Sequence, residues 1–281
     1  MAAIPGGVEN AATGESATWT GTPKAERAGS ERIKSLDTSE ETRDASTSLD
    51  MTKRLFTALV VHHDDCPHSA SMNMAIDEAL LENAAVPSIR FYRWHSPALS
   101  FGYFGRLSDV AGHVSARDLV RRWTGGGIVL HGDDLTYSIM IPASDAAFGE
   151  SSVSMYGKIH HTLCRVLTGK GLGAELVGSA RGADRTPQRG VPSDNCFANP
   201  VRADVMINGR KIAGAAQRRM HRGLLHQGSI QGIELENGLA KRFAQELSAN
   251  CAERKIDTKV LNRARELSQC KYGTDAWLRK R

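Results

Sequence analysis

The sequence predicts a mixed α/β domain, of the α+β kind, with a large sheet and flanking helices over residues 53–281. Three observations carry this. Short apolar runs lie next to tight-turn dipeptides, amphipathic stripes of helical period fall between those runs, and one Asn-Gly pair sits between Val205-Met206-Ile207 and Arg210-Lys211-Ile212. No internal repeat is present.

The elements follow in order. Leu55–Val61 reads as a buried strand. Met72, Ala75, Ile76, Ala79 and Leu80 recur at helical spacing, and Ser69 or Ser71 supplies a cap. Residues 89–94 (IRFYRW) and Ala98–Phe104 read as strands, Arg117–Leu119 as a short helix. Ile128–His131 and Thr136–Ile141 are strands that Gly132-Asp133-Asp134 would join as a hairpin. Val153, Tyr156, Gly157, His160, Cys164 and Leu167 form a second helical stripe, stopped by Gly169 and Gly171. Gly178–Asn195 is a polar loop long enough to suggest function. Val205-Met206-Ile207 and Arg210-Lys211-Ile212 flank Asn208-Gly209, the signature of a two-residue type I′ hairpin. A strand over Gly223–Gln231 and helices around Leu239–Leu247 and Thr258–Leu267 complete the domain.

Residues 1–52 read as a disordered acidic leader. They hold one aromatic residue, Trp19, and no sustained period. Residues 1–50 carry five Lys/Arg and nine Asp/Glu, a net of −4. The totals of 36 and 31 then leave 31 basic and 22 acidic residues, or +9, for the rest. Such a body favours an acidic partner. No finger, homeodomain or aromatic-basic sheet signature points to nucleic acid. There is no apolar run of membrane-spanning length and no signal-peptide pattern. The cysteines are Cys66, Cys164, Cys196, Cys251 and Cys270, an odd and widely spaced set without a C-x-x-C pair, which predicts neither a disulfide framework nor a zinc site. The expectation is a cytoplasmic protein.

Two segments are dense in chemistry. The first is the Lys211 hairpin, where Ala213, Gly214, Ala215 and Ala216 admit a close ligand or backbone. Cys196 lies fifteen residues upstream of Lys211, after Ser193-Asp194-Asn195. A positioned ammonium near a thiol produces thiolate at neutral pH. The second is residues 121–131 (RRWTGGGIVLH). Gly125, Gly126 and Gly127 leave backbone N–H groups for a carbonyl, carboxylate or phosphate, and Arg122 adds a fork for an anion. No Gly-Lys-Ser/Thr follows, so this is not a Walker loop. On spacing alone it reads as a ligand loop or as a plain glycine turn. His131, taken alone, reads as a hydrogen-bonded histidine near a turn, and the His62-His63 and His160-His161 pairs read as structural.

RRWTGGGIVLH (121–131), NGRKIAGAAQ (208–217) and GLLHQGS (223–229) resemble the catalytic domain of the lipoate–protein ligase and octanoyltransferase superfamily, which is related to biotin protein ligases. The similarity extends to MNMAIDEALL (72–81), IRFYRWHSPALSFGYF (89–104) and DLTYSIMIP (134–142), and so covers roughly residues 55–281. Two chemistries occur in that superfamily. Ligases use ATP, with magnesium, to make an acyl-adenylate that the hairpin lysine contacts, and usually carry a further C-terminal domain. One octanoyltransferase branch has a Cys-Phe pair shortly before the lysine motif and uses no ATP. Cys196-Phe197 stands at that position, residues 271–281 resemble the close of that branch, and about 50 residues after Gly232 are too few for a usual further domain.

The resemblance therefore implies octanoyl or lipoyl transfer without a cofactor, with ATP-dependent ligation as the alternative and a catalytically silent relative as a third reading. The donor implied is an octanoyl-acyl carrier protein. The acceptor is a lipoyl domain of a 2-oxoacid dehydrogenase or the glycine cleavage H protein. Cys196 would form the acyl-enzyme, and Lys211 would stabilise the thiolate and move protons between steps. Backbone N–H groups of Gly125–Gly127 or of Gly214-Ala215 would hold the oxyanion, and Arg122 and His131 would line the substrate site. In one respect the chain departs from many relatives, which have His-Gly near the end of the strand where this chain has His226-Gln227-Gly228. A shift of one residue turns the histidine to the other face.

Overall fold

The computed structural model describes residues 54–64, 66–110, 112, 117–178, 200–234 and 238–280. The acidic leader, most of the Gly178–Asn195 loop and the Cys196-Phe197 pair lie outside the described residues. In chain order the elements are β1 (Leu59–His63), α1 (Ala70–Glu82), β2 (Ser88–Tyr92), β3 (Ala98–Phe101), α2 (Leu107–Val110), β4 (Asp118–Arg121), β5 (Ile128–His131), β6 (Leu135–Pro142), α3 (Ser152–Thr168), β7 (Ala174–Leu176), β8 (Val205–Ile207), β9 (Arg210–Met220), β10 (Gly223–Ile230), α4 (Leu239–Leu247), β11 (Cys251–Lys255), α5 (Thr258–Leu267) and α6 (Asp275–Leu278).

Among the described residues the strands form two sheets. The large one runs β11-β1-β2-β6-β10-β9-β8-β7, with β1 parallel to its neighbours β11 and β2 and the remaining pairs antiparallel. The small one runs β4-β3-β5. The period of two along each strand sorts the core into layers. Tyr137, Ile139 and Ile141 of β6, with Leu224 and Ile230 of β10, pack on α3 and α4 through Met155, Ile159, Leu163 and Phe243. Met140 and Leu225, one residue out of phase, join the opposite layer with α1 and α5. The small sheet sends Leu99, Phe101 and Ile128 into a third cluster and leaves Ser100, Val129 and His131 to face a pocket.

Caps fix the main helices. Ser69 accepts from Met72 N, Ser151 from Ser154 N and Asp257 from Lys259 N, so each side chain satisfies an orphan N–H at a helix start. Gly169 caps α3, and Gly171 takes φ +80° two residues on. At the hairpin, Asn208 and Gly209 have φ of 50° and 76°, as a type I′ turn requires.

Three expectations are corrected. The first strand begins four residues later than Leu55, at Leu59. Arg117–Leu119 is not a helix: Asp118–Arg121 is a strand paired in parallel with β3, and the Asp118 carboxylate accepts from Ala70 N at the start of α1. Gly132-Asp133-Asp134 does not close a hairpin, because β5 pairs with β3 whereas β6 lies between β2 and β10; the turn carries the chain from one sheet to the other.

The end of the described chain is tied to β4. Arg121, 1% exposed, donates through Nε to Trp277 O, through Nη2 to Leu278 O and through Nη1 to the carbonyls of Tyr103 and Gly105. Trp277 Nε1 returns a bond to Arg121 O.

Candidate active site

A pocket opens between the small sheet and the large one. Ser100, Arg122, Gly126 and His131 line it from one side, and Lys211, Gly214, Ala215 and Gln227 from the other. Six of the residues singled out from sequence (Arg122, Gly126, His131, Lys211, Gly214 and Ala215) thus converge on one cavity. Gly125 and Gly127 contribute differently: the carbonyl of each accepts from Arg122 Nη2, at 3.0 and 2.8 Å. Arg122 also donates through Nη1 to Ser100 Oγ at 2.7 Å, so this guanidinium shapes the glycine loop from within. The loop in turn packs on Gly102, where a Cβ would lie 1.9 Å from Gly126 O. Gly126 itself takes φ +86°.

Lys211 is 8% exposed, and its Nζ lies 2.8 Å from Asp204 Oδ2. The small residues after the turn make room for the lysine's own side chain, since a Cβ on Gly214 would lie 2.5 Å from Lys211 Cε and 2.7 Å from Nζ. Asp204 is fully buried and held on both oxygens. Tyr156 OH donates to Oδ1 at 2.5 Å, and Val201 N to Oδ2 at 2.7 Å. The Ala215 N–H, offered by the sequence for an oxyanion, instead donates to Tyr156 Oη at 3.1 Å.

Tyr156 opens onto a neutral chain beneath the sheet. His160 Nδ1 donates to Ala203 O at 2.7 Å, so its Nε2 is the acceptor for Tyr137 OH at 3.1 Å. His226 Nδ1 accepts from Gln217 Nε2 at 2.9 Å. Burial lowers the pKa of His160 to about 4 and that of His226 well below its ordinary value. His226 accordingly faces α3, away from the pocket, as its one-residue displacement predicts.

Gln227 faces the pocket in its place. Its Oε1 accepts from Thr124 Oγ1 at 2.7 Å, and its Nε2 donates to Asp77 Oδ2 at 2.7 Å. Behind it Arg90, 0% exposed, is clamped between Asp77 and Asp64, at 2.7 and 2.5 Å. Asn73 Oδ1 takes a further bond from Arg90, and Tyr92 and Ser138 donate to Asp77. This network supports the pocket wall from α1.

On the other wall His131 is bonded at both nitrogens. Nδ1 lies 2.8 Å from Asp134 Oδ2 and Nε2 lies 2.7 Å from Ser100 Oγ, with the Trp94 ring stacked at 4.0 Å. Burial lowers the His131 pKa despite the opposing pull of Asp134. Burial also works to raise Asp134, but hydrogen bonds from His131, Ser229 and Gly132 hold it below the usual carboxylate range.

Sequence reasoning missed Ser100, Asp134, Asp204 and Gln227. Asp134 was legible as a carboxylate three residues after His131 across a turn. Ser100 depends on the β3–β5 register, which pairs Ala98 with His131 and Ser100 with Val129.

The lipoyl protein ligase A/B catalytic domain matches residues 69–269, and the chain belongs to that family. Octanoyltransferase LipM of Oceanobacillus iheyensis is 36% identical over 175 residues, covering 59% of this chain and 62% of that protein. Octanoyltransferase LipM of Brevibacillus brevis is 36% identical over 170 residues, 58% of this chain and 62% of its own. The chain thus spans less than two thirds of these relatives. Among solved structures, a T. acidophilum protein with bound lipoic acid aligns at a TM-score of 0.61 and 21% identity, over 79% of this chain and 98% of that one. Lipoate-protein ligase A bound with ATP aligns at 0.60 and 21%, over the same shares. These two share the fold. Among the described residues no helix is long and apolar enough to cross a membrane.

Proposed function

We propose that this chain is an octanoyltransferase of protein lipoylation, acting through Cys196 without ATP and located in the cytoplasm. The supporting observation is the convergence of Lys211, Gly214, Ala215, Arg122 and His131 on one pocket, in a chain 36% identical to proteins named octanoyltransferase. Cys196, fifteen residues before Lys211, supplies the nucleophile. Its thiolate attacks the carbonyl of an octanoyl thioester on an acyl carrier protein, a new C–S bond forms as the old one breaks, and the carrier leaves as its thiolate. The side-chain amine of a lipoyl-domain lysine then attacks the acyl-enzyme, gives up one proton to a base, and departs as the octanoyl amide while the C–S bond breaks and the Cys196 thiolate is released. Lys211 stabilises the thiolates by charge. The pocket buries the acyl chain. At about 0.8 kcal/mol per CH₂, six methylenes contribute roughly 5 kcal/mol, enough for a chain-length preference.

The test is incubation with octanoyl-acyl carrier protein and an apo lipoyl domain, omitting ATP. Octanoyl transfer supports the proposal. Turnover only after ATP, magnesium and free acid are added would replace it with ligation, and binding of the lipoyl domain without turnover under either condition would indicate a catalytically silent relative. Intact mass after the donor alone tests the nucleophile: an acyl adduct that persists in Cys196→Ala removes Cys196 from the scheme.

A further inference from the structure

Ser100, His131 and Asp134 stand in a row along the pocket wall, and the hydrogen bonds settle the direction of every proton in it. Asp134 Oδ2 accepts from Thr136 Oγ1 at 2.9 Å and from Ser229 Oγ at 2.7 Å, and Oδ1 from Gly132 N at 3.0 Å. It is therefore an acceptor toward His131, whose Nδ1 must carry the proton. In the neutral ring Nε2 is then a bare lone pair facing Ser100 Oγ at 2.7 Å. Arg122 Nη1 donates to the same hydroxyl at 2.7 Å and has no lone pair to offer, so the serine proton points to His131. The result is a serine–histidine–carboxylate relay with its acceptor end charged and its serine end among the residues that line the pocket.

The acyl-transfer reading, on which this inference rests, requires one proton to be taken from the attacking amine, a task that the family resemblance would give to Lys211. An amine that attacks a thioester becomes strongly acidic at nitrogen as the C–N bond forms, and the amide is reached only when that proton is removed. On the other wall Lys211 is ion-paired with Asp204 at 2.8 Å, which suits it to stabilise negative charge. We propose that the Ser100–His131–Asp134 relay is the general base of the amide-forming half-reaction. The C–N bond forms and the C–S bond to Cys196 breaks. The amine proton passes to Ser100 Oγ as the serine proton moves to His131 Nε2, and Asp134 stabilises the imidazolium produced. The electron pair of the C–S bond leaves on Cys196 as thiolate, and the imidazolium proton returns to solvent before the next cycle. The charged groups facing His131 are Asp134 and Arg122, and they act in opposite senses on its proton affinity. The lowered proton affinity of the buried ring keeps it unprotonated at neutral pH, ready to accept.

Single-turnover kinetics separate the two halves. The chain is first loaded from octanoyl-acyl carrier protein and followed by intact mass. It is then discharged either by an apo lipoyl domain or by hydroxylamine, a weakly basic nucleophile that attacks thioesters without a general base. In His131→Gln and in Ser100→Ala, discharge to the lipoyl domain should fall about 10²-fold relative to discharge to hydroxylamine. A parallel fall for both nucleophiles in a folded variant, or no fall for either, overturns the relay. In the unaltered chain, discharge to the lipoyl domain should be slowed by deuterium oxide more than discharge to hydroxylamine. Equal solvent isotope effects overturn the relay without recourse to any variant. If the unaltered chain takes no acyl group from the donor, the transfer reading itself fails at the first stage, and the relay falls with it.

Discussion

His226 and Gln227 are adjacent in sequence, yet they enter two kinds of buried polar environment on opposite sides of β10. Gln227 meets full charges, with Arg90 paired to Asp77 and Asp64. His226 meets a neutral chain of Tyr137, His160 and Tyr156, whose hydrogens are ordered by tautomer. Burial is compensated by charge pairing on one side and, on the other, by uncharged hydrogen-bonding groups that end on the Asp204 carboxylate. The two sides should therefore fail differently, one when a partner is deleted and the other when a proton is added.

The largest expected effect is on the charged side. Arg90→Met leaves two carboxylates facing an apolar side chain, and the loss of a buried partner costs about 3–5 kcal/mol. Urea denaturation at pH 7 measures it, and a loss under 1 kcal/mol would mean that the network is dispensable.

The neutral side should respond to acid. An unfolded histidine titrates near 6.5, whereas His160 in the fold titrates at about 4. Above pH 6.5 neither state is protonated and stability is fully present. As pH falls from 6.5 to 4 the unfolded chain takes up a proton that the folded chain refuses, and stability declines by about 3 kcal/mol from this residue alone. Denaturation at pH 7 and pH 4.5 should show the decline, and His160→Gln should flatten it. An unchanged slope in that variant would assign the acid sensitivity elsewhere.

The smallest effect is steric. On Gly228 a Cβ would lie 2.3 Å from Tyr137 Cζ, so Gly228→Ala overpacks the neutral side by about 1–3 kcal/mol. Thermal unfolding should show a lower midpoint with the charged side intact.

How much of this was legible depends on the distance over which each feature is specified. The hairpin at Asn208-Gly209, with Lys211 just past it, follows from four residues and was read correctly, and so were the bounds of α4 and α5, where the apolar period is regular. β4 was misread because its strand character comes from β3, about twenty residues earlier, and not from its own composition. Asp204 and Ser100 acquire meaning only through register and side-chain direction, which a sequence does not display. The opposite orientation of His226 was legible because the strand period of two is strict. The roles of Cys196 and Lys211 rest on their spacing and resemblance and await the assays above.

The tie between Arg121 and α6 makes the last helical turn of the described residues a latch on the candidate pocket. Arg121 is the residue before Arg122, and two of its hydrogen-bond acceptors, the carbonyls of Trp277 and Leu278, belong to that turn. Clipping the turn would strand a buried guanidinium and slacken β4 at the point where it delivers Arg122 to the glycine loop. A protease that never reaches the pocket would thus loosen its wall from the surface.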